Sequence, residues 1–194
     1  MTSNTLSLIQ SSINEIGLGD GNHQFVIYLE NTPPLAEYTE LTNLCAVTKG
    51  EIDYINQNCG NGWRKVFNVY AKVLFALNNK VFSYQEQADC WQDYRDKYLL
   101  QADSGTAMLF SAPKDIKSCQ QPTAIRLITG RSYAKKLSLL SEDTLGYKLQ
   151  FTWFDQEFAI DCAQRIIVCP YFDYRQLSNI KIAHLVKLID QYLT

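Results

Sequence analysis

Two short segments of the 194-residue chain bring together side chains suited to a planar, negatively charged ligand. Tyr171-Phe172-Asp173-Tyr174-Arg175 places three aromatic rings, a carboxylate and a guanidinium directly after Pro170. Aromatic faces stack on a nucleobase and an arginine pairs with a phosphate, so the composition suits a nucleotide. It equally suits a loop that plugs the end of a core, with Asp173 and Arg175 as a surface ion pair. The second segment is Gly130-Arg131-Ser132-Tyr133, with Lys135 and Lys136 close behind. At the start of a helix, free N–H groups and basic side chains make an anion site, and a bound phosphate would offset the cost of cations beside the positive end of the helix dipole. The plainer alternative is a solvated basic helix. Glu30, followed by Asn31, is a carboxylate that could activate or position a water.

Other chemistries are limited by what the chain contains. The six cysteines, at 45, 59, 90, 119, 162 and 169, show no Cys-x-x-Cys and no neighbouring histidine pair, which removes zinc and iron–sulfur spacing. Buried free thiols are the expectation rather than disulfides. With only His23 and His184, a His-rich metal centre is excluded, and any dyad or triad would use one of these two or do without histidine. His23 reads as structural or exposed, and His184 as a helix-surface residue. No metal and no cofactor is expected.

The elements that must position these residues follow from hydrophobic period. Leu6, Ile9, Ile13 and Ile16 predict an amphipathic helix over residues 1–16, ended by the glycines at 17, 19 and 21. Gln24 to Leu29 predicts a buried strand, with Glu30 to Pro34 as its exit. Residues 35–101 keep a helical period, with capping boxes at Thr48 to Glu51 and Ser83 to Glu86. Within that segment Trp63, Val66, Phe67, Tyr70, Val73, Leu74 and Leu77 form one broad apolar face. Tyr84, Trp91, Tyr94 and Tyr98 also recur at helical spacing; this stripe reads as core, with a base-stacking platform as the alternative. Thr106 to Ser111, Ala124 to Thr129 and Arg165 to Cys169 are short apolar runs typical of strands buried on both faces. Residues 147–161 predict an inserted β-hairpin around Phe154-Asp155-Gln156, and helices follow over Arg131 to Leu140 and Asn179 to Leu193.

The expected fold is therefore a single α/β domain over residues 1–194, a three-layer α/β/α sandwich with a mostly parallel, four-stranded central sheet plus the inserted hairpin. In such sheets ligands bind beyond the carboxyl ends of the strands. That rule selects four exits: Glu30 to Pro34, Ser111 to Lys114, Gly130 to Tyr133 and Pro170 to Arg175. Composition is that of an ordinary globular chain, 46% hydrophobic and 20% charged with a net charge of −2. Nine basic residues against thirteen acidic in 1–119 and nine against seven in 120–194 leave too little excess charge for a non-specific DNA surface. Met1 to Asn14 lacks a secretory start and no apolar run reaches membrane-span length, so a cytoplasmic protein with no membrane partner is expected.

Two segments carry a resemblance to a known family. Ala124-Ile-Arg-Leu-Ile-Thr-Gly130-Arg-Ser-Tyr-Ala134-Lys-Lys-Leu137 resembles the apolar strand, glycine and Ala-containing helix of the uracil-DNA glycosylase superfamily. Arg165-Ile-Ile-Val-Cys-Pro170-Tyr-Phe-Asp-Tyr-Arg175 resembles that superfamily's last strand and the His-Pro-Ser loop after it. The resemblance implies a pocket of Glu30 to Pro34, Ser111, Gly130 to Tyr133 and Pro170 to Arg175 that binds a nucleobase, a nucleotide or nucleic acid. Glu30 or Asn31 would then position water, Tyr171 or Phe172 would stack, and Arg131 and Arg175 would hold phosphate. The chain departs from the family pattern at Leu29, which stands where the family has a glycine, near Ser111, in the neighbourhood of the family's base-reading asparagine, and at Cys169, which matches the histidine when Pro170 is aligned with the proline of that loop. Turnover is left open on these residues. The alternative, from a different class, is a non-catalytic interaction or scaffold domain that uses the aromatic loop and the hairpin as a protein-binding edge.

Overall fold

The computed structural model describes residues 14–140 and 142–194. Most of the helix expected over residues 1–16 lies outside them, and residues 14–16 are not helical. Eight strands form one mixed sheet: β1 (Gly17–Gly19), β2 (Phe25–Tyr28), β3 (Leu44–Cys45), β4 (Thr106–Leu109), β5 (Ile125–Thr129), β6 (Thr152–Trp153), β7 (Ala159–Asp161) and β8 (Ile166–Cys169). Their order across the sheet is β3-β1-β4-β2-β5-β8-β7-β6. The four strands expected at the centre, β4, β2, β5 and β8, are adjacent and mutually parallel. They are not the whole sheet, however, so the four-stranded expectation is corrected to eight. On one side β1 pairs antiparallel with β4 and carries β3; on the other, β7 pairs antiparallel with β8 and carries β6. The hairpin is thus an extension of the sheet.

Residues 17–19 form a strand rather than a helix stop because glycine lets two backbones close on each other. A side-chain carbon on Gly17 would overlap the carbonyl oxygen of Met108, and one on Gly19, whose φ is +136°, would overlap that of Thr106. Only Leu18 between them sends a side chain into the core, where it is 1% exposed.

Both faces of the sheet are covered. Phe25, Ile27 and Leu29 point to one face and Val26 and Tyr28 to the other, as the period of two requires. The first face carries α1 (Ala36–Thr39), α2 (Glu51–Asn58), α3 (Asn61–Ala76), α4 (Trp91–Lys97) and α7 (Asn179–Tyr192). The second carries α5 (Arg131–Ser138) and α6 (Glu142–Leu145). The Tyr70 hydroxyl of α3 reaches the carbonyls of Phe25 and Ala107, at 3.0 and 2.9 Å, and ties that helix to β2 and β4.

Neither capping box forms in full. The Glu51 carboxylate accepts from both the Thr48 N–H and its hydroxyl, at 2.9 and 2.7 Å, but Gly50 holds the cap position of α2. Ser83 opens only a single 3₁₀ turn, and α4 starts later, at Trp91. The aromatic stripe accordingly divides: Tyr84 and Tyr94 are core, Trp91 is half-buried and Tyr98 is exposed. All six cysteines are free thiols, yet only Cys169 is buried, against the expectation for the set. Among the described residues, no helix is long and apolar enough to cross a membrane, and no three His, Cys, Asp or Glu side chains cluster to hold a metal.

Gly17→Ala and Gly19→Ala are each expected to cost about 1–3 kcal/mol, because overlap with backbone cannot be relieved by a rotamer change. Denaturant unfolding of the two variants checks this. Leu18→Val, which keeps the close approach, should cost no more than about 1.5 kcal/mol.

Candidate functional site

Strand direction decides which loops can meet. Because β7 is antiparallel to β8 and β6 is antiparallel to β7, β6 runs in the same sense as β8. The hairpin tip therefore rises at the carboxyl ends of the parallel strands, beside the exits of β5 and β8. An open groove of about 510 Å³ lies there, lined by Arg131, Pro170, Tyr171 and Gln176 from the exits and by Asp155, Gln156 and Glu157 from the tip.

Of the residues singled out from the sequence, three reach this groove: Arg131, Pro170 and Tyr171. Gly130 stands behind them as the cap of α5, with a φ of +100° that favours glycine, and its N–H donates to the Cys169 carbonyl at 2.8 Å. The α5 cap has no side-chain acceptor for the free N–H groups of the first turn. The helix has eight residues, so Lys135 and Lys136 fall in its last turn, where a positive charge suits the dipole. Lys136 pairs with Glu30, and Arg131 alone remains a cation at the N-terminal end. Its guanidinium sits 5.5 Å from the centre of the Trp153 ring and has no ion-pair partner among the described residues.

The remaining expected residues are placed elsewhere. Glu30, bound to Lys136, links the exit of β2 to the last turn of α5, and Asn31 is exposed beside it; neither lines the groove. Ser111 accepts from the Ile16 N–H at 3.2 Å and so fastens the chain leading into β1. Ser132 is exposed, while Tyr133 is half-buried, its hydroxyl pushed up to about 12 by burial and then by Glu30. Phe172 is 0% exposed and meets Tyr70 edge-on at 6.0 Å, so it is a core residue and not a stacking surface. Asp173 takes Lys65 at 2.8 Å and the Arg175 backbone N–H at 2.9 Å, which replaces the expected Asp173–Arg175 side-chain pair. Burial raises the Asp173 pKa, but these donors outweigh it and hold the carboxyl below its ordinary value. Arg175 lies over the Tyr174 ring and does not share the groove with Arg131. The single pocket expected across all four exits is therefore half of one: the β2 and β4 exits do not line the groove, and there Glu30 pairs with Lys136 and Trp63 packs edge-on against Phe110.

The carboxylates of the groove are already engaged. Asp155 accepts from the N–H groups of Glu157 and Phe158 at 2.7 and 2.8 Å, which shapes the hairpin turn, and Glu157 pairs with Lys181 at 2.6 Å. Burial, and secondly Asp173, raises the Tyr171 pKa, so its hydroxyl is a neutral donor near pH 7. His23, buried on the Asp20 carbonyl, and exposed His184, against the Phe158 ring, line neither wall. The wall-forming Asp155, Gln156, Glu157 and Gln176 were not read as site residues in the sequence; the one signal was the hairpin preceding the last central strand, whose direction fixes where its tip must lie.

A model of a family of unknown function, DUF6942, matches residues 16–190, and the chain belongs to that family. No curated protein and no solved structure matches the chain.

Phe172→Ala is expected to cost about 3–5 kcal/mol, as a large core deletion does. Exposed Arg131→Ala should change stability by no more than about 0.5 kcal/mol. Thermal and denaturant melts of the two variants separate a core plug from an exposed side chain.

Proposed function

We propose that this member of DUF6942 is a binding domain that takes a planar anionic ligand of nucleotide type in the groove between the β5 and β8 exits and the hairpin tip. The carrying observation is Arg131: a guanidinium laid over Trp153, at the uncapped start of α5, with no carboxylate partner among the described residues. An anion there meets the guanidinium and the free first-turn N–H groups together. The half-buried Tyr171 ring offers a planar ligand an apolar wall, and the amides of Gln156 and Gln176 offer donors and acceptors to its edge.

Binding without cleavage is the better fit. Glu30 and Asn31, which the glycosylase resemblance would set against a water, stand outside the groove. The carboxylates within it are held by the hairpin's own N–H groups and by Lys181. The reading therefore rests on the groove and not on that resemblance. A second reading, a protein-binding edge, is favoured by one feature: β6 is an edge strand that pairs with β7 alone, beside exposed Phe154, whose ring lies tilted against Tyr192 with centroids 5.4 Å apart.

A thermal-shift titration with nucleobases, nucleosides, nucleotides and inorganic phosphate tests the groove. At 100 times its Kd a ligand adds about 2.7 kcal/mol of stability, so a nucleotide should raise Tm clearly and Arg131→Ala should abolish the shift. Absence of a shift with every ligand overturns the proposal. A shift that survives Arg131→Ala overturns the assigned site.

A further inference from the structure

A second recognition surface runs along α3, on residues that do not line the groove. Lys65, Asn68 and Lys72 recur at three and four residues and are half-buried, so they make one stripe beside the apolar face of that helix. Each lysine ends over an aromatic ring brought from elsewhere. The Lys65 ammonium lies 5.2 Å from the centre of Tyr174, in the loop after β8, and that of Lys72 lies 5.0 Å from the centre of Trp91, at the start of α4. Each ring carries a second cation as well, Arg175 at 5.9 Å from Tyr174 and Arg95 at 5.7 Å from Trp91.

The charges at the two rings are only half compensated. Asp173 takes Lys65 at 2.8 Å, and Asp96 takes Arg95 at 2.7 Å, with the Asn68 side-chain amide oxygen as a further acceptor for Arg95. Arg175 and Lys72 have no ion-pair partner among the described residues. The result is a repeated unit, an aromatic ring with two cations and one carboxylate, each with one positive charge left over. Lys65 and Lys72 set the units two helical turns apart, about 10 Å. A cation resting on a ring is already partly ordered and partly desolvated, so an arriving carboxylate loses less to side-chain ordering than it would at a free lysine.

We propose that this stripe binds an acidic peptide segment of a partner protein, with Asp or Glu carboxylates meeting Arg175 and Lys72. A polyproline II chain rises about 3.1 Å per residue with about three residues per turn, so carboxylates three residues apart fall on one face at a spacing close to that of the units. Arg175 takes its carboxylate through the guanidinium fork and Lys72 as a point charge. Nucleic acid is the poorer match. A phosphate polyanion gains affinity from many neutralised contacts, whereas this stripe offers two uncompensated cations on a chain of net charge −2.

The test uses the full chain and fluorescently labelled probes: a short peptide with glutamates spaced about three residues apart, its Gln counterpart, its Lys counterpart, and a single-stranded oligonucleotide. Anisotropy is read for the wild type, for Lys72→Ala/Arg175→Ala and for Lys72→Glu/Arg175→Glu, and circular dichroism confirms that the variants remain folded. The wild type should bind the Glu peptide and not the Gln peptide. The alanine pair should weaken binding about tenfold or more, since two charge-assisted contacts are lost. The charge-reversed protein should prefer the Lys peptide. The proposal is overturned if the Glu peptide does not bind, if it binds the alanine pair as well as the wild type, or if the oligonucleotide binds more tightly through the same two residues. Because Arg131 is untouched in these variants, the nucleotide-induced shift in Tm stands or falls separately.

Discussion

The arrangement of the second face of the sheet depends on one buried cation. Arg126, the second residue of β5, is 1% exposed, and no carboxylate among the described residues pairs with it. Burial draws its pKa down, but Tyr28 and Cys119 lead the opposing contributions, and the net shift is upward. A guanidinium removed from water must find oxygens, because leaving its N–H groups unmet costs more than any packing it provides. Three segments supply them: the Tyr28 hydroxyl from β2 at 3.3 Å, the Gln164 carbonyl from the turn before β8 at 2.9 Å, and the Lys114 carbonyl from the loop after β4.

That requirement spreads outward through the same segments. The Gln164 side-chain oxygen accepts from the Ile116 N–H, and its amide donates to Asp115, so the turn and the loop are held twice. Asp161, buried at the end of β7, accepts from the N–H groups of Gln150 and Gln164, while Tyr147 donates to the Pro113 carbonyl. These contacts anchor both ends of the hairpin. The site on one edge of the sheet is thus positioned by a charge in its interior.

Legibility in the sequence followed the strength of local pattern. The four parallel strands could be read because burial on both faces leaves continuous apolar runs. β1 could not, since two of its three residues are glycine and the pairing with β4 is a matter of backbone clearance, which hydrophobic period does not report. β3 and β6, of two residues each, are too short to show a period at all. Arg126 passed unremarked inside an apolar run, because nothing local distinguishes a buried arginine from an edge residue. For the site, composition located the loop after β8 but could not divide its labour: Phe172 turns into the core, Tyr171 to the groove, Asp173 to Lys65, and Tyr174 and Arg175 outward. The hairpin wall required strand order, which is a long-range property. α5 shows the reverse case, in which the apparent electrostatic conflict of three cations shrank to one once the helix proved short enough to place two lysines in its last turn.

The two walls of the groove also differ mechanically. Arg131, Pro170 and Tyr171 extend from β5 and β8, which pair along four residues at the doubly covered centre of the sheet. Asp155, Gln156 and Glu157 lie between β6 and β7, which meet at two register positions toward the outer edge, with Lys181 of α7 as a further tether on Glu157. Local opening is cheapest where few buried contacts and few ladder bonds must break. The groove accordingly has one wall set on the centre of the sheet, which carries Arg131, and one carried on its edge. An occupant of the proposed kind would find the guanidinium already in place and would draw any adjustment of width from the hairpin side.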